Sequence, residues 1–374
     1  MRRLREFDFI RATAALSVIA IHTTGIYVYT SRAGYLWNQG MRYAVPLFMI
    51  LSGLLLFYSD QAKSTAKTGY LDFVKRRLQK IVIPYVLWTL IYVAFNNRHG
   101  FASIAADVPA FLLKLAKDLL WGSGALHLYF VILIIQMYLL YPVLKHLVRR
   151  WPGLTLGVSF LVTLACQSDI YFSSTKNFSF LPRIGVPFYM TFMAWIFFFV
   201  LGMTAVGRIE GWTGKSVRSA VIITGAWVAS FVILMADSIF TRSNEISSKP
   251  SVILYCITSF LFFYIAAVKF KNTTSRAGRF LDWFSAQSFM IYLGHILVLD
   301  TLVLLSGKFR IEQLWTGKTG MVLFFLAVTA GTSIMVYIVS LTPLAGWLGA
   351  VPARKAPGTG AGVEQPKSPG SLGA

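Results

Sequence analysis

Residues 7–29 read FDFIRATAALSVIAIHTTGIYVY. As a helix this stretch rises roughly 35 Å, enough to cross a hydrocarbon core of about 30 Å. It is too long for a signal-peptide core, it holds Arg11, and it lacks a small-residue cleavage site, so it reads as a retained span. Nine further runs of the same character follow at 43–59, 81–96, 126–147, 153–171, 187–206, 218–239, 251–269, 283–305 and 320–347. Ten spans predict an all-α, polytopic membrane helix bundle. The runs at 43–59 and 81–96 are short, which predicts tilt or local thinning of the bilayer. Residues 107–121, DVPAFLLKLAKDLLW, are amphipathic and are placed on the membrane surface.

Composition agrees. Of the 374 residues 56% are hydrophobic and 13% charged, where a soluble domain carries roughly 25% charged residues. In a soluble protein a net charge of +21 would suggest nucleic acid. Here basic loops orient the spans instead, and no nucleic-acid partner is expected. With the N-terminus in the cytoplasm, cytoplasmic segments hold 22 Lys and Arg and external loops 12, which predicts N-in and C-in. Cys166 and Cys256 both sit in apolar runs, offering neither a disulfide framework nor a metal spacing. Residues 1–350 form the membrane domain. The Gly-, Pro- and Ala-rich 351–374 reads as a disordered cytoplasmic tail.

Ionisable residues at membrane depth are costly, so each is a functional candidate. Arg11 and His22 lie eleven residues apart, about 20° apart on the circumference and roughly 16 Å apart along the axis. They share one face. A snorkelling Arg11 paired with Asp8, and an interhelical His22, are the plainer readings. In SFMIYLGH, Ser288, Tyr292 and His295 follow at i, i+4 and i+7, again one face, with His295 near the depth of His22. The alternative there is a structural polar seam. In GALHLYF, His127 stands at the outer boundary, where an interfacial histidine is ordinary. In FVKRRLQKIVIPY, Arg76, Arg77 and Lys80 lead into the third span from the cytoplasm. They serve either as a topology anchor or as a phosphate site. His99 and His146 look merely solvated.

At these residues the chain resembles the acyltransferase-3 family of integral membrane O-acyltransferases. Arg11 and His22 are similar to that family's Arg–ten residues–His signature, with Asp8 preceding. VPLFMILSGLLLF is similar to its VPLFF-x-x-SG segment through Pro46, Phe48, Ser52 and Gly53. Phe73, Arg77, Lys80, Ile81, Pro84 and Tyr85 resemble its basic motif, with Lys80 where Arg is commoner. GALHLYF resembles its HLWFL segment, with Tyr129 where Trp is usual. FVLGM at 199–203 and SFMIYLGH at 288–295 match in type and order.

The resemblance implies transfer of an acyl group, most often acetyl, from cytoplasmic acyl-CoA to a hydroxyl of a surface polysaccharide or lipid-linked glycan, with no metal. Many members carry a second, extracytoplasmic hydrolase-like domain, and this chain reads as the minimal version. The expected layout puts Arg11, Arg76, Arg77 and Lys80 on the CoA phosphates, and His22 as general base. Tyr292, His127 or His295 would orient His22 or donate to the oxyanion. An acyl-histidine intermediate is an open alternative. The rival class is a glycan or lipid transporter or flippase without catalysis, although no internal repeat of the transporter kind is visible. The expected external segments 30–42 and 172–186, with Tyr35, Trp37, Tyr171 and Phe178 in or beside them, either stack on sugar rings or form an interfacial aromatic belt.

Overall fold

The computed structural model describes residues 5–61, 70–98, 107–207, 217–243, 247–270 and 275–353, and these residues are helical with no strand. The tail expected at 351–374 lies outside the described residues from 354 onward. Among the described residues nine helices are long and apolar enough to cross a membrane. The protein is a multi-pass membrane helix bundle.

Helix α1 (Arg5–Thr24) is the central post. Buried residues surround it, including Ile10, Ala14, Ala15, Val18 and Ile19. Small residues let neighbouring backbones approach closely. Around α1 stand α3 (Ala44–Gln61), α10 (Pro250–Phe270), α11 (Arg276–Ala286), α12 (Ser288–Phe309) and α13 (Gly317–Ser340). The segment expected as a loop at 30–42 contains α2 (Arg32–Gly40), capped by Ser31. At the edge of the bundle α9 (Val217–Thr241) packs on α10 and turns Val221, Val228 and Val232 outward. In lipid such an apolar face is the normal surface.

Three of the expected spans depart most from the sequence expectation. The helix expected at 81–96 is α4 (Tyr70–Asn96), which starts eleven residues earlier. Its 27 residues rise roughly 40 Å, more than the hydrocarbon needs, so its first turns carry the basic cluster as helix rather than as loop. The span expected at 283–305 is divided, with α11 ending at Ala286 and α12 starting at Ser288.

The expected span 187–206 is only half a helix. Two short 3₁₀ turns, Phe188–Met190 and Phe192–Ala194, precede α8 (Ile196–Ala205). Irregular backbone survives at membrane depth only where protein groups satisfy it. Here polar side chains of α6 (Tyr129–Arg150) and α7 (Pro152–Lys176) do so. Gln136 donates to Met190 O at 3.0 Å and accepts from Phe192 N at 2.7 Å. Thr163 donates to Met193 O and accepts from Phe197 N, and Gln167 donates to Ala194 O. Below the turns α8 lies against α3 at backbone contact: a Cβ on Gly202 would sit 1.9 Å from Ile50 O, and one on Gly53 2.0 Å from Phe199 O. Gly53 and Gly202 of the two recognised motifs therefore face one another across a single joint.

Candidate active site

Three histidines from three segments meet in the bundle. His22 is near the C-terminal end of α1, and His295 lies in α12. His127 belongs to the turn between α5 (Val108–Trp121) and α6. Ring centroids are 5.2 Å apart for His22 and His295, 5.0 Å for His127 and His295, and 6.3 Å for His22 and His127.

Local chemistry positions each ring. The His127 turn starts at Gly122, whose φ of 70° favours glycine, and where a Cβ would meet Tyr129 N at 2.7 Å. The Tyr85 hydroxyl donates to Asp118 O and Leu119 O, and Ser123 donates to the Asp118 carboxylate, bracing the turn. The Tyr292 hydroxyl donates to His127 O, tying the turn to α12. Tyr92 of α4 donates to Leu293 O at 2.7 Å and accepts from Leu297 N.

These contacts decide the tautomers of two rings. His127 Nε2 lies 3.2 Å from Leu293 O, and His295 Nδ1 lies 2.8 Å from Tyr292 O. A carbonyl only accepts, so each of these nitrogens carries a proton. In the neutral ring the other nitrogen is then an acceptor. His127 Nδ1 and His295 Nε2 are buried and have no hydrogen-bond partner. Two buried lone pairs lacking a donor in one cluster mark a place where a ligand hydroxyl or a proton belongs. Among the described residues no hydrogen bond fixes the His22 ring, and no group of histidine, cysteine and carboxylate side chains could hold a metal ion.

Two cavities approach the cluster, one ending at Tyr292 and the other at His22. On the side where α1 begins, a cavity of about 330 Å³ is lined by Arg11, Ser52, Arg77, Lys80, Tyr138 and Tyr292, with apolar side chains between. Arg77 and Lys80 stand three residues apart on one face of α4. Arg11 combines its two sequence readings, since it pairs with Asp8 at 3.8 Å and also lines this cavity. Arg76 is on α4, but its side chain lies outside the described residues. On the side where α1 ends, a cavity of about 630 Å³ reaches His22.

Sequence reasoning missed Asp300 and Asn96 in the wall of this second cavity. Asp300 carried the signal that singled out Arg11, an ionisable residue inside an apolar run. Conversely, three of the four aromatics weighed for the external segments bind the protein itself. Trp37 packs on Phe325 at 5.2 Å, the Tyr171 hydroxyl donates to Asp237, and Tyr35 packs against the core. Phe178 is exposed.

Comparison with known proteins identifies the family. A model of the acyltransferase domain matches residues 4–341. A Bacillus subtilis (strain 168) protein named for membrane-bound acyltransferase activity, YfiQ, is 24% identical over 308 residues, covering 78% of this chain and 80% of its own. A Staphylococcus aureus (strain MRSA252) protein named for poly-beta-1,6-N-acetyl-D-glucosamine export is 24% identical over 273 residues, covering 72% of each chain. No solved structure matches. With the family model spanning the bundle from the first helix to the last, the chain belongs to the acyltransferase-3 family of membrane acyltransferases.

Proposed function

We propose that this protein moves an acyl group, acetyl in the first instance, from cytoplasmic acyl-CoA to a hydroxyl of a surface glycan or glycolipid, working in the cell (inner or plasma) membrane. The observation that carries this reading is the pair of cavities: one has a basic mouth and ends at Tyr292, the other ends at His22, and the histidine cluster stands between them. The charge asymmetry of the loops assigns the basic mouth to the cytoplasm.

Arg11, Arg77 and Lys80, with Arg76 on the same helix, would hold the CoA phosphates. Guanidinium supports this by its bidentate geometry and lysine by its point charge. The thioester arm then runs along α1 toward His22. His22 takes the proton of the acceptor hydroxyl as its oxygen bonds to the thioester carbonyl carbon. The C–S bond breaks, and the departing thiolate takes that proton back from His22, leaving an ester and free CoA thiol. General-base help of this kind is typically worth about 10²–10⁴-fold. His295 Nε2, an acceptor in its tautomer, is the group available to take the second N–H of His22. Tyr292 and His127 hold the turn and the ring wall in place. In these tautomers neither His127 nor His295 has a free N–H for the oxyanion.

The test is inverted membrane vesicles given radiolabelled acetyl-CoA. Label incorporated into glycan by the wild type, abolished in both His22→Ala and His22→Gln at normal expression and CoA binding, is the expected result. Glutamine can replace a hydrogen bond but takes no proton near neutral pH. Near-normal transfer by His22→Gln would remove His22 as the base and leave His295 as the candidate. The export named for the S. aureus relative supports a second reading, a glycan transporter. Substrate movement without label transfer would favour it.

A further inference from the structure

The cavity on the His22 side has more than reach to recommend it as a binding site. At about 630 Å³ it falls in the roughly 300–1,000 Å³ range of small-molecule sites. Its wall holds one carboxylate, Asp300, one carboxamide, Asn96, and the hydroxyl-bearing Ser123, Tyr92, Tyr129 and Tyr189. Tyr129 and Tyr189 meet edge to face with centroids 5.6 Å apart. Asp300 sits in the middle of α12 and is the only carboxylate of that helix. A carboxylate inside a spanning helix is costly and by default marks a substrate-facing position. Among the described residues no side chain hydrogen-bonds it, the Arg98 guanidinium just past α4 is the charge that acts on it, and Ile296, Leu299 and Asp300 bring that face of α12 to the cavity.

We infer that Asp300, with Asn96 of α4 in the same wall, is the acceptor-recognition pair, binding adjacent hydroxyls of a neutral hexopyranose unit whose reacting hydroxyl then lies at His22. The inference rests on the reading given under Proposed function and names the acceptor class for that same site. A carboxylate only accepts hydrogen bonds, and its two oxygens suit two neighbouring hydroxyl donors. Asn96 both donates and accepts, so it tolerates either hydroxyl orientation. The tyrosine pair supplies ring surface for the apolar face of a sugar. Asp300 and His22 line the same cavity, whose volume has room for one sugar ring between the carboxylate and that histidine. A phosphate or carboxylate group at this position would meet the Asp300 charge, so the recognised unit is uncharged there.

The experiment uses the full chain in nanodiscs, where both faces are accessible, with radiolabelled acetyl-CoA. The acceptor probe is the envelope glycan of the producing cells after mild-base de-O-acylation. Asp300→Asn keeps the side-chain shape and removes the charge, and Asn96→Ala tests the second group from another helix. The expected result is a glycan KM raised at least tenfold in each variant, with the KM for acetyl-CoA within twofold of wild type. A glycan KM within twofold of wild type in both folded variants overturns the inference while leaving acyl transfer itself standing. Absence of label transfer by the wild type overturns the acyltransferase reading, and the inference with it.

Discussion

Gln136→Leu removes the support of the irregular 188–195 segment without touching the histidines. Gln136 satisfies two backbone groups at once, Met190 O and Phe192 N. Leucine fills similar space and bonds to neither. A buried backbone group left unpaired costs about 1–3 kcal/mol, so two cost about 2–6 kcal/mol. Interhelical bonds in membranes average only about 0.6 kcal/mol, because the unfolded chain in lipid also finds partners. That average sets a floor near 1 kcal/mol for two bonds. Met190 borders the larger cavity, from which water can reach its carbonyl, so the expected loss is in the lower half of the range, about 2–4 kcal/mol. Thr163→Val is the shape-conserving companion. It removes the donor to Met193 O and the acceptor of Phe197 N at a fully buried position. Unfolding in mixed micelles by SDS titration, followed by the fluorescence of the ten tryptophans, measures both. Losses below roughly 0.6 kcal/mol in both variants would refute the idea that these side chains hold the broken span.

Arg77→Ala should weaken acyl-CoA binding by on the order of 1.5–3 kcal/mol at unchanged expression, and unchanged CoA affinity at physiological salt would reduce the basic cluster to a topology anchor. Gly202→Ala places a methyl 1.9 Å from Ile50 O, and should destabilise the α3–α8 joint by about 1–3 kcal/mol in the same SDS titration. Lys249 is fully buried between Ser238, Ser243 and Asp237, and burial lowers its pKa to about 8 despite the nearby carboxylate. The folded state therefore binds fewer protons than the unfolded state between pH 8 and the ordinary lysine value of 10.5, so this group makes stability rise with pH across that window. Melting temperatures recorded over that range should show the rise in wild type and a flatter profile in Lys249→Met.

Much of the bundle was legible because membrane spans are written in composition and length, and α1, α7, α9 and α10 fall within a few residues of their expected positions except at the C-terminal ends of α1 and α7. The 187–206 run misled for a physical reason. Its own residues are as apolar as any span, and what breaks it is supplied by Gln136, Thr163 and Gln167 on other helices. A window of hydropathy reads only the segment inside it. The same limit applies to Tyr35, Trp37 and Tyr171, whose partners are far away in sequence.

The site divides along a similar line. Depth can be computed from a helix rise, so His22 and His295 could be set at one level from sequence alone. Rotation about the helix axes and the lateral neighbours cannot. What brings His127 to the same point is a turn that only glycine at 122 permits, braced by Tyr85 from α4 and tied to α12 by Tyr292. The polarity of the rings follows from that assembly as well. Carbonyls of Leu293 and Tyr292 accept one hydrogen bond from His127 and one from His295, and so leave the other nitrogen of each ring as a buried acceptor. Neither carbonyl belongs to a recognisable motif, since every residue has one, and it is the helix geometry of α12 that aims them. His22 differs from its two neighbours in having no such bond among the described residues and in opening onto the larger cavity. Under the proposed function, the ring that no carbonyl holds is the one expected to carry the proton from the acceptor hydroxyl to the departing thiolate.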